Sequence, residues 1–198
     1  MGKKHEERKE EIIQGALELA AEQGVKRVTT QAIADKVGIA QPTIFRHFPN
    51  RDAIFGAAIE GVAAGLFKIL GRHFDGAEPA DQRLHAVVVR HLQFIDRRKG
   101  IPRVLFSDRL HSESPGLKAV VQRIMGRYTE RLARLLEEGV AEGRFRADLD
   151  VEATARHIFA LVQGTLMRWS IYDFGFSLEA EAERVWGFVW LAVAPEEP

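Results

Sequence analysis

Between Gln41 and His47 the chain sets an amide, a hydroxyl, a guanidinium and an imidazole on one short stretch, QPTIFRH. Glutamine can pair with N6 and N7 of adenine, arginine with O6 and N7 of guanine, and threonine and proline can touch thymine methyl groups. As a helix, the stretch turns Gln41, Pro42, Thr43, Arg46 and His47 outward, and Pro42 is tolerated because it lies in the first turn. Arg46 has a second use in holding phosphate, and His47 a second use in packing its ring between helices. This is chemistry of recognition, in which no bond is made or broken.

Other chemistry is poorly supplied. The 198 residues contain no cysteine, which removes disulfides, thiolate zinc sites and cysteine nucleophiles together. His85, His91 and His111 do not recur at three- or four-residue intervals and no HExxH exists, so no metal is expected. With no GxSxG and no glycine-rich phosphate loop, neither a catalytic residue nor a cofactor is expected.

The elements that would hold the recognition stretch are legible around it. A helix-turn-helix needs a small residue where two short helices cross and a turn that admits positive φ. In TTQAIADKVGIAQPTIFRHFPNRDAIF, from Thr29 to Phe55, Ala34 supplies the first and Gly38 the second. Ile33, Val37, Ile39 and Ile44 then fall where apolar side chains pin the pair together. Thr29 or Thr30 can cap the first motif helix, whose amides would face a phosphate oxygen. Such a contact positions a protein on DNA without reading sequence.

The remainder also reads as helices. Ile12, Ala16, Leu17 and Ala20 line a first helix ending near Gly24, and Ile54 to Leu70 a long one after Pro49-Asn50. Leu84 to Ile95 and Ile101 to Leu110 give two more. Ser114 and Pro115 suit the start of a long helix running to Gly143, Asp150 the cap of one from Val151 to about Tyr172, and Ser177 that of a last one to about Ala194. No segment alternates with period two, so the fold class is all-α. The expected division is a helix-turn-helix DNA-binding domain at 1–51 and a larger effector-binding and dimerisation domain at 52–198.

Composition agrees with a globular protein, with 46% hydrophobic and 28% charged residues. Net charge is zero, yet the first 51 residues hold a small basic surplus, which points that end at a polyanion. Lys3, Lys4, Arg8 and Lys9 read as a solvated arm that can also track phosphates. The N-terminus lacks an apolar secretory stretch, and Ala53 to Leu70 carries Glu60 and Lys68, which makes it too polar to span a bilayer. A cytoplasmic location without membrane association is expected.

The segment Thr29 to Phe55, with its FRHF block, resembles the DNA-binding segment of the TetR family of transcriptional regulators. The first 70 residues are similar to that family's layout of a long helix, a helix-turn-helix and a connecting fourth helix. GRFRADLDVEATARHIFALVQGTL, from Gly143 to Leu166, resembles the lead into the family's dimerisation helices. Members often carry Ser or Thr where Ala40 stands, so the recognition helix here lacks a side-chain cap. They often carry a phosphate-binding Tyr where Phe45 stands, and a phosphate-meeting basic residue where Arg51 stands. The resemblance thus implies DNA contacts by Thr29, Thr30, Gln41, Pro42, Thr43, Phe45, Arg46, His47 and Arg51.

Two further sites are expected in the larger domain. Phe67, His91, Phe94, Phe106, Met125, Tyr128, Gln163 and Met167 could line a pocket for a small-molecule effector or form ordinary core. Trp186, Val189 and Trp190 make the last helix apolar on more than one side, a surplus expected of a homodimer interface with Phe159, Val162 and Leu166 as partners. Together these readings describe a homodimeric repressor on palindromic double-stranded operator DNA, released by an effector. The other reading is a helical ligand-binding or scaffolding protein that does not bind DNA.

Overall fold

In a computed structural model of the chain, backbone is described for residues 2–195 and side chains for residues 5–195; Lys3 and Lys4 lie outside the described side chains. The element order is α1 (Gly2–Gln23), a 3-10 turn (Val25–Arg27), α2 (Thr30–Val37), α3 (Gln41–Phe45), α4 (Arg51–Phe74), α5 (Ala80–Asp96), α6 (Gly100–Leu105), a π-helical turn (Arg109–Glu113), α7 (Pro115–Ala141), α8 (Val151–Ile171) and α9 (Leu178–Val193). The fold is all-α, with no strand among the described residues.

Local chemistry explains most boundaries. The amides of Ala32, Ala153 and Ala180 donate to the side-chain oxygens of Thr29, Asp150 and Ser177 at 3.0, 2.9 and 3.2 Å, which satisfies one orphan donor at each helix start. Ala40 begins α3 with no side-chain cap, as expected. The single helix expected over 101–110 is instead α6 followed by the separate π-helical turn.

Two compact units make up the chain: residues 1–63 with 98–122, and residues 64–97 with 123–198. This division differs from the expected cut between Arg51 and Asp52, because α4 contributes to both units and 98–122 joins the first. In that first unit α6 begins against α1 so closely that a Cβ on Gly100 would sit 2.3 Å from the carbonyl oxygen of Leu17. Only glycine permits that approach.

By length and composition α4 is apolar enough to cross a membrane, contrary to the expectation drawn from Glu60 and Lys68. Its apolar side chains are spent inside the protein: Ile54, Phe55, Ile59, Leu66, Phe67 and Leu70 are all buried. That is the pattern of a core helix.

In the second unit α5 packs along α9, and α9 also meets α8. Arg83 on α5 is 3% exposed and reaches Glu138 on α7 at 2.7 Å and Glu142, just past the end of α7, at 3.4 Å. Glu142 also accepts the Ala80 amide at 2.9 Å, so the start of α5, where Pro79 offers no side-chain cap, borrows one from the turn after α7. After α8 the chain turns with Asp173 at φ 50° and Phe174 at φ 61°, both left-handed and neither glycine. The Phe174 ring meets Trp169 edge-on at 4.7 Å, and the Phe174 amide donates to the Trp169 carbonyl at 2.8 Å.

His91 and Tyr128 share a 3.1 Å hydrogen bond deep in this unit, ringed by Phe74 and Phe159. Burial pushes the Tyr128 hydroxyl above its ordinary range and lowers the His91 imidazole to about 4. His91 is therefore neutral in the folded protein at pH 7 but free to protonate near 6.5 once unfolded. Its contribution to stability is complete above pH 6.5 and is lost as pH falls toward 4, by about 3 kcal/mol at pH 4. His91→Gln keeps a partner for Tyr128 yet cannot titrate. Urea titrations at pH 7 and pH 4 should show a smaller acid loss for the variant than for wild type; equal losses would refute a neutral buried His91.

Candidate nucleic-acid interface

The first unit builds the helix-turn-helix as spacing predicts. Ile33, Ala34 and Ile44 are fully buried between α2 and α3, and Val37 and Ile39 are half-buried at the seam. Gly38 ends α2 at φ 73° and ψ 38°, in the left-handed region, and the Ile39 amide closes the turn on the Ala34 carbonyl at 2.9 Å. Lys36 ties α2 to α1 through Glu22 at 2.9 Å and Glu18 at 3.5 Å, which raises its amine above the ordinary value.

The side chains expected to read DNA emerge from this frame. Pro42, Phe45 and Arg46 are exposed, and Gln41, Thr43 and His47 half-exposed. Gln41 donates from Nε2 to the Thr30 hydroxyl at 2.9 Å, and Arg46 donates to the Thr43 hydroxyl at 3.1 Å, so each head group is oriented at the surface without being buried. Thr29 is exposed while its hydroxyl caps α2. Phe45 keeps its ring 52% exposed, an apolar face with no hydroxyl to offer phosphate.

His47 packs its ring on His5 of α1, centroids 4.5 Å apart. Burial lowers its pKa first, and the charges of His5, Arg46, Lys9 and Arg8 lower it further. Arg8 and Lys9 are themselves paired with Glu11 and Glu6, and the packing of His47 on α1 is the second of the two uses read from its type.

Arg51 is half-buried at the start of α4. Its Nη1 donates to the Val28 carbonyl at 2.6 Å and approaches that of Val25 at 3.5 Å, so the guanidinium braces the main chain just before the α2 cap. Burial lowers its pKa. The neighbouring Asp52 accepts from Arg109 Nε at 2.7 Å, a partner 57 residues away that periodicity could not reveal. Burial alone would raise the Asp52 carboxyl, but hydrogen bonds from Arg109 and Ser114 and nearby guanidinium charge hold it below the usual range.

Of the expected interface residues, Phe159, Val162, Leu166 and Val189 are buried within the protomer. Trp186 and Trp190 are half-buried, and Trp186 meets Trp190 at 5.7 Å and His85 of α5 at 5.1 Å. Apolar side chains left open in the second unit include Leu161, Met167 and Ile171 on α8, the adjoining Tyr172, and Phe188 and Leu191 on α9, the last two 70% and 79% exposed.

Phe67, His91 and Tyr128 close into the aromatic cluster of the second unit, Met167 faces outward, and Phe106 belongs to the first unit. Phe94, Met125 and Gln163 are half-buried in the second unit.

A family model described as bacterial regulatory proteins, tetR family, matches residues 12–58, and a tetracyclin repressor-like C-terminal domain matches residues 77–170. Among curated proteins, the nucleoid occlusion factor SlmA of Vibrio cholerae serotype O1 is 28% identical over 189 residues, covering 95% of this chain and 96% of the relative. The SlmA of Marinomonas sp. is 23% identical over 194 residues, covering 98% and 96%. Among solved structures, the fatty acid degradation regulator FadR of Bacillus halodurans superposes with a TM-score of 0.82 at 21% identity, covering 91% of this chain and 93% of that one. FadR of Bacillus subtilis, in complex with stearoyl-CoA, gives 0.79 at 23% identity, covering 90% and 96%. At those identities the solved structures establish the fold alone.

A Cβ on Gly38 would meet nothing within 4 Å, so Gly38→Ala isolates the backbone cost of the turn. That cost should be about 1–2 kcal/mol, read as a lower denaturation midpoint. An unchanged midpoint would show that the turn does not need its left-handed residue.

Proposed function

Because this chain belongs to the TetR family of bacterial regulatory proteins, we propose that it is a DNA-binding transcriptional regulator, a repressor released from a palindromic operator by a small-molecule effector. The observation that carries this reading is the left-handed turn at Gly38, which presents Gln41, Pro42, Thr43 and Arg46 on a short outward helix. Thr29, Thr30 and Phe45 add surface beside it. In this reading Gln41 and Arg46 meet base edges and the start of α2 meets phosphate. No catalysis is involved, and the location is cytoplasmic.

Operator recognition needs two readers about 34–36 Å apart, hence a homodimer with two-fold symmetry. The apolar stripes of Leu161, Met167 and Ile171 on α8 and of Phe188 and Leu191 on α9 support a second copy docking there, since the protomer leaves them uncovered. The effector's leverage equals its differential affinity for the two DNA-binding states.

A second reading has the same DNA-bound dimer acting in nucleoid occlusion; it is favoured by relatives of that name that match nearly the whole chain. Deleting the gene separates the two. Changed transcripts near the binding sites support the repressor, whereas division across the nucleoid with unchanged transcripts supports the other.

Gln41→Ala should weaken binding to a selected operator duplex by roughly 1–3 kcal/mol and leave binding to random DNA nearly intact. Equal loss on both duplexes in an anisotropy titration would remove Gln41 from base reading. For assembly, Phe188→Asp with Leu191→Asp should elute as a monomer in size-exclusion chromatography; a surviving dimer would place the interface elsewhere.

A further inference from the structure

Arg51 and Asp52 are adjacent on the first turn of α4 and face opposite tasks. Arg51 reaches back to the Val28 carbonyl at 2.6 Å, immediately before Thr29 caps α2. Asp52 reaches the other way. It accepts from Arg109 at 2.7 Å and from the Ser114 hydroxyl, the residues that open and follow the π-helical turn. Arg109 also donates to Glu113 at 3.0 Å, so one guanidinium ties the turn to itself and to α4. Ser114 is buried and accepts the Leu117 amide at 3.4 Å, which continues the connection into α7.

The result is a line of polar contacts from residues 109–114, through Asp52 and Arg51, to the main chain that sets the start of α2. Its central pair is about a quarter exposed on each side, so the attraction is screened less than at an open surface. Beside it lies a cleft of about 310 Å³ lined by Val25, Lys26, Arg51, Phe106 and Arg109 among others, which leaves the turn room to shift. Single π-helical turns recur at functional sites because they hold a backbone arrangement that an ordinary helix would relax.

We propose that Arg109 is a positioning residue for DNA binding: by holding Asp52 it fixes the first turn of α4, and through Arg51 the frame from which α2 and α3 face the duplex. The proposal rests on the DNA-reading function above and adds to it the point at which that function can be switched. A shift of the 109–113 turn that draws Arg109 from Asp52 would loosen the frame without touching any DNA-facing side chain.

The test uses the full-length protein and a duplex selected by wild type from a randomised pool, with a random duplex as control. Arg109→Ala and Asp52→Asn should each lose about 3- to 30-fold in affinity for the selected duplex and little for the random one. The double variant should lose no more than either single, because both remove one interaction. The exchange D52R with R109D should recover most of the loss, which ties it to this pair, while loss confined to the selected duplex is what a merely structural role would not predict. Wild-type affinity in Arg109→Ala or Asp52→Asn, additive losses in the double, or equal losses on both duplexes without recovery in the exchange would each overturn the proposal. A wild-type protein that selects no duplex would overturn the DNA-reading function itself, an outcome distinct from these.

Discussion

The recognition helix is five residues long, far too short to be stable alone, and the first unit depends on the means by which it is held. Its orientation is borrowed from the left-handed turn at Gly38, from Ile44 buried beneath it and from α2, itself capped by Thr29 and tied to α1 by Lys36. A β-carbon at residue 38 would meet open space, so the restriction there lies in the backbone dihedral and not in packing. What lies outside the frame is consequently free to vary in chemistry. Gln41, Pro42, Thr43 and Arg46 contribute little to the core and can be chosen for what they meet.

The second unit solves a different problem, that of placing polar groups where water is excluded. Arg83 is buried with two carboxylates and the Phe74 carbonyl within reach of its terminal nitrogens, though its Nε is left without a partner, and one of those carboxylates also closes the open end of α5. His91 and Tyr128 satisfy each other inside an aromatic shell. An unpaired polar group there would cost far more than the pair contributes, so the His91–Tyr128 pair favours one packing of the helices over its neighbours.

Much of this was legible in the sequence wherever the signal was local. The caps at Thr29, Asp150 and Ser177, the turn at Gly38 and the missing cap at Ala40 are all written within four residues of where they act. Rotation about a helix axis was less legible when both faces are apolar. On α8, Phe159, Val162 and Leu166 and the alternative Leu161, Met167 and Ile171 carry the same kind of side chain, and spacing alone cannot say which set turns inward. Contacts between distant segments left no signal. Arg109 and Asp52 are 57 residues apart, and neither is unusual in its own neighbourhood.

The turn between α8 and α9 places two consecutive side-chain-bearing residues, Asp173 and Phe174, in a conformation that costs each roughly 1–2 kcal/mol relative to glycine. The Trp169 ring offsets that strain by receiving Phe174. Relief and anchorage are therefore inseparable at residue 174, where glycine would relax the main chain and delete the ring that holds the connection in place. Trp169 would stay anchored by its own burial and its 2.8 Å bond to the Phe176 carbonyl, so the ring is a fixed post against which this connection is set.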